Sequence, residues 1–326
     1  MTERSLHITN GDGAAGLIKA AGFAGDVLPW RDPMHHGPCP AGLDLDASSE
    51  VRALYLGGPA DVAAFRARDA QLRNASAYDR VVLWFEHDLL DQVQLLQILD
   101  ELADQDLPAL EMICIDRFEG VAPFRGLGQL TPEQLGSLWP SREPVTADVF
   151  AVARAGWAAF RADDPRDLLS FLEGDLGALP FLRPALQRHL QEFPWAETGL
   201  SRTEHQMLSL VAEGVNDPSG LFRQNMDHET HLFIGDWRSF STLAQLNKAG
   251  LLDCSPAPFW HPPTPDRREQ FISQKFALTE LGRAVLDGAR DAFAVMDRDM
   301  WLGGVHLKSG QPMWVWDTDK LVLRQP

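Results

Sequence analysis

Twenty residues, Arg80 to Leu99, constrain the fold of this chain more than any others. Val81-Val-Leu-Trp-Phe85 is a short continuous apolar run, the pattern of a strand buried on both faces of a parallel sheet. From Leu90 onward, Val93, Leu95, Leu96, Ile98, Leu99 and Leu102 predict a helix packed through one broad face. Only Glu86, His87 and Asp88 separate the two elements, so three ionisable groups sit where a buried strand turns into a helix.

The same alternation extends on either side. Ser5 to Thr9 reads as a strand, and the glycine-rich Asn10 to Gly16 leads into an apolar helical stretch through Ala21. A helix N-terminus after a glycine loop suits an anion. The spacing is neither GxGxxG nor a Walker loop, and Asp12 equally suits a plain helix cap. Asp26 to Trp30 reads as a second strand, followed by the loop Arg31-Asp-Pro-Met-His-His-Gly-Pro38, whose paired histidines fit a metal or acid–base role or a solvent-exposed turn. Ser48 or Ser49 is expected to cap a helix through Leu56, and Pro59 to begin another that fades near Asn74, with Arg66, Arg68, Asp69 and Arg73 on a solvated face. Leu110 to Ile115 is the next strand. Strands alternating with helices predict a doubly wound α/β (Rossmann-like) domain with a mainly parallel sheet over residues 1–145.

That topology gives the ionisable residues a shared place. Asn10 and Asp12, then Arg31, Asp32, His35 and His36, then Glu86, His87 and Asp88, then Asp116 and Arg117 each follow the carboxyl end of a predicted strand. Ligands of open parallel sheets bind at that edge. Five carboxylates, three histidines and two arginines on one rim require either shifted pKa values or a cation to offset them. A divalent ion, Mg²⁺, Mn²⁺ or Zn²⁺, is the economical solution. Further along, Phe124-Arg-Gly-Leu-Gly128 either brings backbone amides and an Arg125 anion clamp to a ligand or forms a tight connection before the capped helix start Thr131-Pro132.

Residues 146–197 read as a helical linker block without evident chemistry. The pattern changes over 198–326. Ser201-Arg-Thr-Glu204 is a capping box, Asp217-Pro218 starts a second helix, and Asp236 is expected to cap a third that ends at Gly250. A hairpin with a long proline-rich tip (Pro256 to Pro265) and a helix opened by Thr279-Glu280 and running to Arg290 follow. This order predicts a winged-helix-like α+β domain, completed by a C-terminal hairpin turning at Lys308-Ser-Gly310. Its third helix offers Arg238, Gln245 and Lys248 as nucleic-acid contacts. Between Thr198 and Gly250, however, four Lys/Arg face six Asp/Glu. A phosphate-tracking surface carries more positive charge than that, so DNA contact and protein interaction both stay open for this domain.

The formal charge of −17 argues against a general nucleic-acid-coating or membrane-surface role. Three scattered cysteines, Cys39, Cys114 and Cys254, fit neither a disulfide framework nor a structural zinc site. The N-terminal Met-Thr-Glu-Arg-Ser lacks a signal-peptide apolar segment, and no uncharged run approaches the roughly 18 residues that span a bilayer. A cytoplasmic protein with no membrane partner is expected.

Four motifs resemble the bacterial family catalogued as domain of unknown function 1835. They are Leu6-His-Ile-Thr-Asn-Gly-Asp12, Gly25-Asp-Val-Leu-Pro-Trp-Arg-Asp32 with Gly37-Pro38, Val82-Leu-Trp-Phe-Glu-His-Asp-Leu89, and Phe124-Arg-Gly-Leu-Gly128. Leu179-Pro-Phe181 and Gly199-Leu-Ser-Arg-Thr-Glu204 are similar to stretches of its longer members. The resemblance implies a bacterial cytoplasmic protein and brings no catalytic residues with it.

The residue chemistry alone therefore sets the functional expectation. It is a metal-dependent phosphoester or nucleotide hydrolase, nucleases included, acting on a small phosphorylated ligand or nucleic acid. Asp32, Glu86, Asp88 and Asp116 are the expected metal ligands, and His36, His87 and Glu86 the expected acid–base groups. Asn10, Asp12, Arg31, Arg117 and Arg125 are the expected substrate contacts. The alternative is a non-enzymatic DNA-binding or ligand-sensing regulator acting through its winged-helix domain. A third reading is a scaffold whose rim groups only cap helices and pair as salt bridges.

Overall fold

The computed structural model describes residues 4–232, 234–261 and 263–325. Residues 1–3, part of the stretch read above for a leader, and Pro262 of the proline-rich tip lie outside them. The chain divides into two compact units, one made of residues 1–187 with 301–306 and the other of 188–300 with 307–326.

The first unit opens with β1 (Ser5–Thr9), α1 (Asp12–Ala20) and β2 (Asp26–Pro29), then α2 (Leu45–Leu56) and α3 (Val62–Arg73). β3 (Arg80–Glu86), α4 (Leu89–Leu102) and β4 (Leu110–Ile115) follow, and then α5 (Pro132–Ser137) and β5 (Glu143–Pro144). α6 (Ala147–Arg161) and α7 (Arg166–Glu173) complete it, and the division between the units falls inside α8 (Leu182–Leu190). The helices expected to form a separate linker thus belong largely to the first unit, where α6 packs against α4.

The five strands form one sheet in the order β2-β1-β3-β4-β5, parallel except for β5. The chain leaves β1 toward β2 on one side and later crosses to β3 and β4 on the other. The carboxyl ends of β1 and β3 therefore flank a topological switch point, where such sheets open a crevice. Val81 to Phe85 are fully buried, as the apolar run requires. Val82, Trp84 and Ile113 face Ala14 and Ile18 of α1 together with Leu127, Leu130 and Leu135. By strand alternation Leu83 and Phe85 face the other side.

α4 departs from the one-faced helix expected of it. It contacts β3, α3 and α6, so eleven of its fourteen residues are buried, Asp91, Gln92, Gln94 and Gln97 among them. Each buried glutamine finds a partner. Gln92 Nε2 donates to the Glu86 carbonyl at 2.7 Å, Gln94 Nε2 to the Asp32 carbonyl at 2.9 Å, and Trp30 Nε1 donates to Gln97 Oε1 at 3.0 Å. Hydrogen bonding offsets the desolvation that burial imposes on the amides.

Two helix starts also differ from expectation. Asp44, not Ser48 or Ser49, caps α2 by accepting from the Ala47 amide at 2.9 Å, and both serines lie buried inside the helix. α3 begins after Asp61, and its expected solvated face divides: Arg66 and Arg73 are exposed, whereas Arg68 and Asp69 are buried.

The second unit contains α9 (Arg202–Ala212), α10 (Pro218–Asp227), α11 (Asp236–Lys248), β6 (Leu252–Ser255), α12 (Arg268–Ile272), β7 (Lys275–Leu278) and α13 (Glu280–Leu286). The Ser201–Glu204 capping box forms as read, and Asp217 and Thr279 cap α10 and α13. Gly235 rather than Asp236 occupies the cap of α11, and α13 ends four residues short of Arg290. α9, α10 and α11 pack together, and the antiparallel β6–β7 pair lies against α9 and α11. Phe271, from the long connection between those strands, is buried with ring centroids 4.9 Å from Phe240 and 5.1 Å from Phe259.

The C-terminal hairpin is two hairpins. β8 (Asp299–Leu302) pairs with β9 (Val305–Lys308) about Gly303-Gly304, and β10 (Val315–Asp317) with β11 (Val322–Arg324). Gly303 has φ +60°, and a Cβ there would meet the Phe160 carbonyl at 2.3 Å, which places the turn on this glycine rather than at Lys308–Gly310.

Candidate functional site

At the switch point the ends of β1 and β3 and the first turn of α4 bring four polar side chains together. Glu86 is the last residue of β3, and Asp88 caps α4, its side chain accepting from the Asp91 amide at 3.1 Å. Asp91 lies in the first turn of the same helix and turns back, so that its Oδ1 accepts from the Glu86 amide at 2.9 Å. Asn10, just past β1, donates to Asp91 Oδ2 at 2.8 Å and to Glu86 Oε2 at 3.4 Å. Oxygen atoms of Glu86, Asp88 and Asp91 all lie within 4.8 Å of one another, and all three residues are buried.

A loop closes over the group. The Leu127 amide donates to Glu86 Oε1, and Gly126 (φ +144°) makes that approach possible: a Cβ at Gly126 would lie 2.6 Å from Glu86 Oε2. Behind the strand end, Gln92 and the Cys114 thiol, 3.6 Å from the Glu86 carbonyl, hold the backbone in place.

The electrostatics follow from this geometry. Burial, reinforced by the Asp88 charge, pushes Glu86 up to about 8, although the Leu127 amide acts the other way. Burial raises Asp88 to about 7 against the pull of the Asp91 and Leu90 amides. Asp91 is raised well above the carboxylate range by burial and by both neighbours. Three acids this close and this dry hold protons near neutral pH or exchange them for a cation. The arrangement supplies oxygen donors only, the donor class that suits Mg²⁺ or Mn²⁺ better than Zn²⁺.

The remaining rim residues go elsewhere. Asp32 is wholly buried, but against Arg52, whose Nη2 lies 2.7 Å from its Oδ1, with Arg68 Nη1 3.9 Å from Oδ2. Asp12 and Arg31 form an exposed pair at 2.6 Å, and Asp116 and Arg117 a surface pair at 2.9 Å. His36 is buried with its ring 4.9 Å from His35 and 5.9 Å from Tyr55, and its carbonyl accepts from Arg52 Nη1 at 2.8 Å. His87 is buried beside the carboxylates in sequence, its ring 6.2 Å from Phe124 and 6.4 Å from Phe181. Arg125 is half-buried on the loop whose next two residues contact Glu86. Of the expected metal ligands, Glu86 and Asp88 meet, whereas Asp32 and Asp116 are each engaged by arginine.

Asp91 and Gln92 were missed because the helix was read for its apolar face. A signal existed: Asp88 and Asp91 stand at the cap and third positions of a helix, the spacing at which a side chain reaches back toward the preceding backbone. In the second unit, Gln245 and Lys248 are exposed on α11, whereas Arg238 is half-buried near enough to Glu192 to help hold that buried carboxyl low, after Arg188 and Thr203.

No known protein-family profile matches the chain, and no curated protein sequence is significantly similar to it.

Proposed function

We propose that the first unit is a metal-dependent hydrolase of phosphoesters or nucleotides, with its centre at Glu86, Asp88 and Asp91. The observation that carries this reading is the convergence of three buried carboxyls, with Asn10 and the Leu127 amide donating to them, on a topological switch point. A structural role is better served by pairing with arginine, as happens nearby at Asp32. Glu86, Asp88 and Asp91 would hold a divalent ion, which supplies charge stabilisation at a phosphoryl oxygen. Asn10 fixes the Asp91 carboxylate, the Leu127 amide orients Glu86, His87 serves as acid–base group and Arg125 attracts the anionic substrate. A place in the domain-of-unknown-function 1835 family and a cytoplasmic setting belong to the same reading, supported by the motifs around Asn10, Glu86 and Gly126. Among the described residues no helix is long and apolar enough to cross a membrane.

For the second unit we propose a winged helix with α11 in the recognition position. The three-helix cluster and the β6–β7 hairpin support it. Charge does not support duplex tracking, since α11 directs Arg238 toward Glu192 and the surrounding sequence is acidic. The unit is therefore read as a ligand-sensing module.

The test is hydrolysis of an activated phosphodiester and of nucleoside triphosphates with Mn²⁺ or Mg²⁺, by wild type and by Glu86→Gln and Asp88→Asn. The reading expects metal-dependent turnover that both variants lose. Turnover unchanged in either variant, or absent from wild type with every metal, contradicts it.

A further inference from the structure

A cavity of about 340 Å³ lies within the C-terminal unit, between the end of α11, the segment around Trp260 and residues 295–300. That volume is in the range of small-ligand sites. Its walls contain groups the fold does not use. Trp260 is 56% exposed, more than any other tryptophan among the described residues, whereas Trp30, Trp84, Trp157 and Trp316 are buried. Gln245 and Lys248, one turn apart on one face of α11, make no side-chain hydrogen bond or ion pair among the described residues. Asp297, also exposed, makes none either.

The floor is rigid and electrically settled. Arg298 is 4% exposed, and its guanidinium donates to both Glu204 oxygens, at 2.9 and 2.8 Å. Its Nε is buried without a hydrogen-bond partner on the same wall. Met296, itself buried, adds an adaptable apolar surface.

We propose that this cavity binds a purine nucleotide unit. Each unused group has a counterpart in that ligand. The Trp260 indole offers a stacking face for the base. Gln245, with both donor and acceptor atoms, suits a base edge, and Asp297 suits ribose hydroxyls or an exocyclic amine. Lys248 supplies a positive charge for the phosphate. An apolar ligand would leave Gln245 and Asp297 desolvated without partners. The unit is either a free mononucleotide or one residue of a single strand. The assignment is independent of the carboxylate cluster.

The test is isothermal titration of the full chain, in excess EDTA, with AMP, GMP, adenosine and a short oligodeoxyadenylate. AMP or GMP is expected to bind, with Trp260→Ala weakening it by about tenfold or more and Trp260→Phe retaining most of it. Lys248→Ala is expected to weaken AMP but leave adenosine as in wild type. Binding of the oligonucleotide alone, with the same variant pattern, supports the proposal and identifies a strand as the source. No binding of any probe at millimolar concentration, or binding indifferent to Trp260→Ala, overturns it.

Discussion

The first unit buries two clusters of acids, and they are built on opposite principles. Asp32 and Asp69 are enclosed by Arg52 and Arg68, with contacts of 2.7 and 2.8 Å, and Arg68 also lies 3.9 Å over the Trp30 ring. Glu86, Asp88 and Asp91 are equally buried, and they lie against one another with Asn10 and backbone amides among their partners. One cluster sets each acid against an arginine. In the other, burial and the neighbouring carboxyls raise Glu86 and Asp91, which favours the protonated form. Carboxylates at strand ends look alike along a sequence, and the nature of what faces them separates scaffold from candidate centre.

The comparison breaks most visibly in the paired cluster. Arg52→Ala leaves Asp32 buried and uncompensated, and should cost about 3–5 kcal/mol in urea denaturation. Adding Asp32→Asn should recover part of that loss. A cost below about 1 kcal/mol for the single variant would remove the distinction between the clusters.

The carboxyl-rich cluster should respond to pH instead. A carboxyl whose pKa is higher in the fold than in the unfolded chain binds its proton more tightly when folded. Its favourable contribution is complete below the ordinary carboxyl range and disappears as pH climbs to the folded value, about 8 for Glu86 and about 7 for Asp88. Wild-type stability without divalent ions should therefore fall between about pH 5 and pH 8. Glu86→Gln should be the more stable protein at pH 8, by on the order of 1–4 kcal/mol, because the amide keeps an acceptor for Leu127 and removes one charge. Thermal melts at the two pH values measure this, and a variant less stable than wild type at pH 8 contradicts it.

Gly126→Ala should cost about 1–3 kcal/mol and displace Glu86, since the new methyl meets a carboxylate oxygen in a backbone conformation that alanine disfavours. The loss is read by melting temperature, and a fully retained Tm would show that the loop does not hold Glu86. The smallest effect belongs to the surface. Arg31→Ala should change stability by less than about 1 kcal/mol, because its pair with Asp12 is solvent-exposed.

Much of the first unit was legible in the sequence because buried parallel strands have an apolar signature that few other elements share. The Val81–Phe85 strand, the parallel sheet and the placing of Asn10, Glu86 and Asp88 at its carboxyl edge follow from that signature. What stayed hidden was pairing. Arg68 and Asp69 read as solvent-facing because a charged residue on a helix usually is, and nothing local revealed that Asp32 and the Trp30 ring would cover them. Asp91 and the glutamines of α4 stayed hidden because a helix covered on several sides no longer sorts its residues by polarity. The turn at Gly303-Gly304 rests on contact with the Phe160 and Arg161 carbonyls, more than 100 residues away along the chain.

The central claim is that the Glu86–Asp88–Asp91 group exchanges protons for a divalent ion. Calorimetric titration of the EDTA-stripped protein with Mn²⁺ at pH 6 and pH 8 tests it most directly. Tighter binding at pH 8, proton release seen as a heat that varies with the buffer, and loss of both in Glu86→Gln are the predicted results. No binding at either pH, or binding unchanged in Glu86→Gln, would contradict the account.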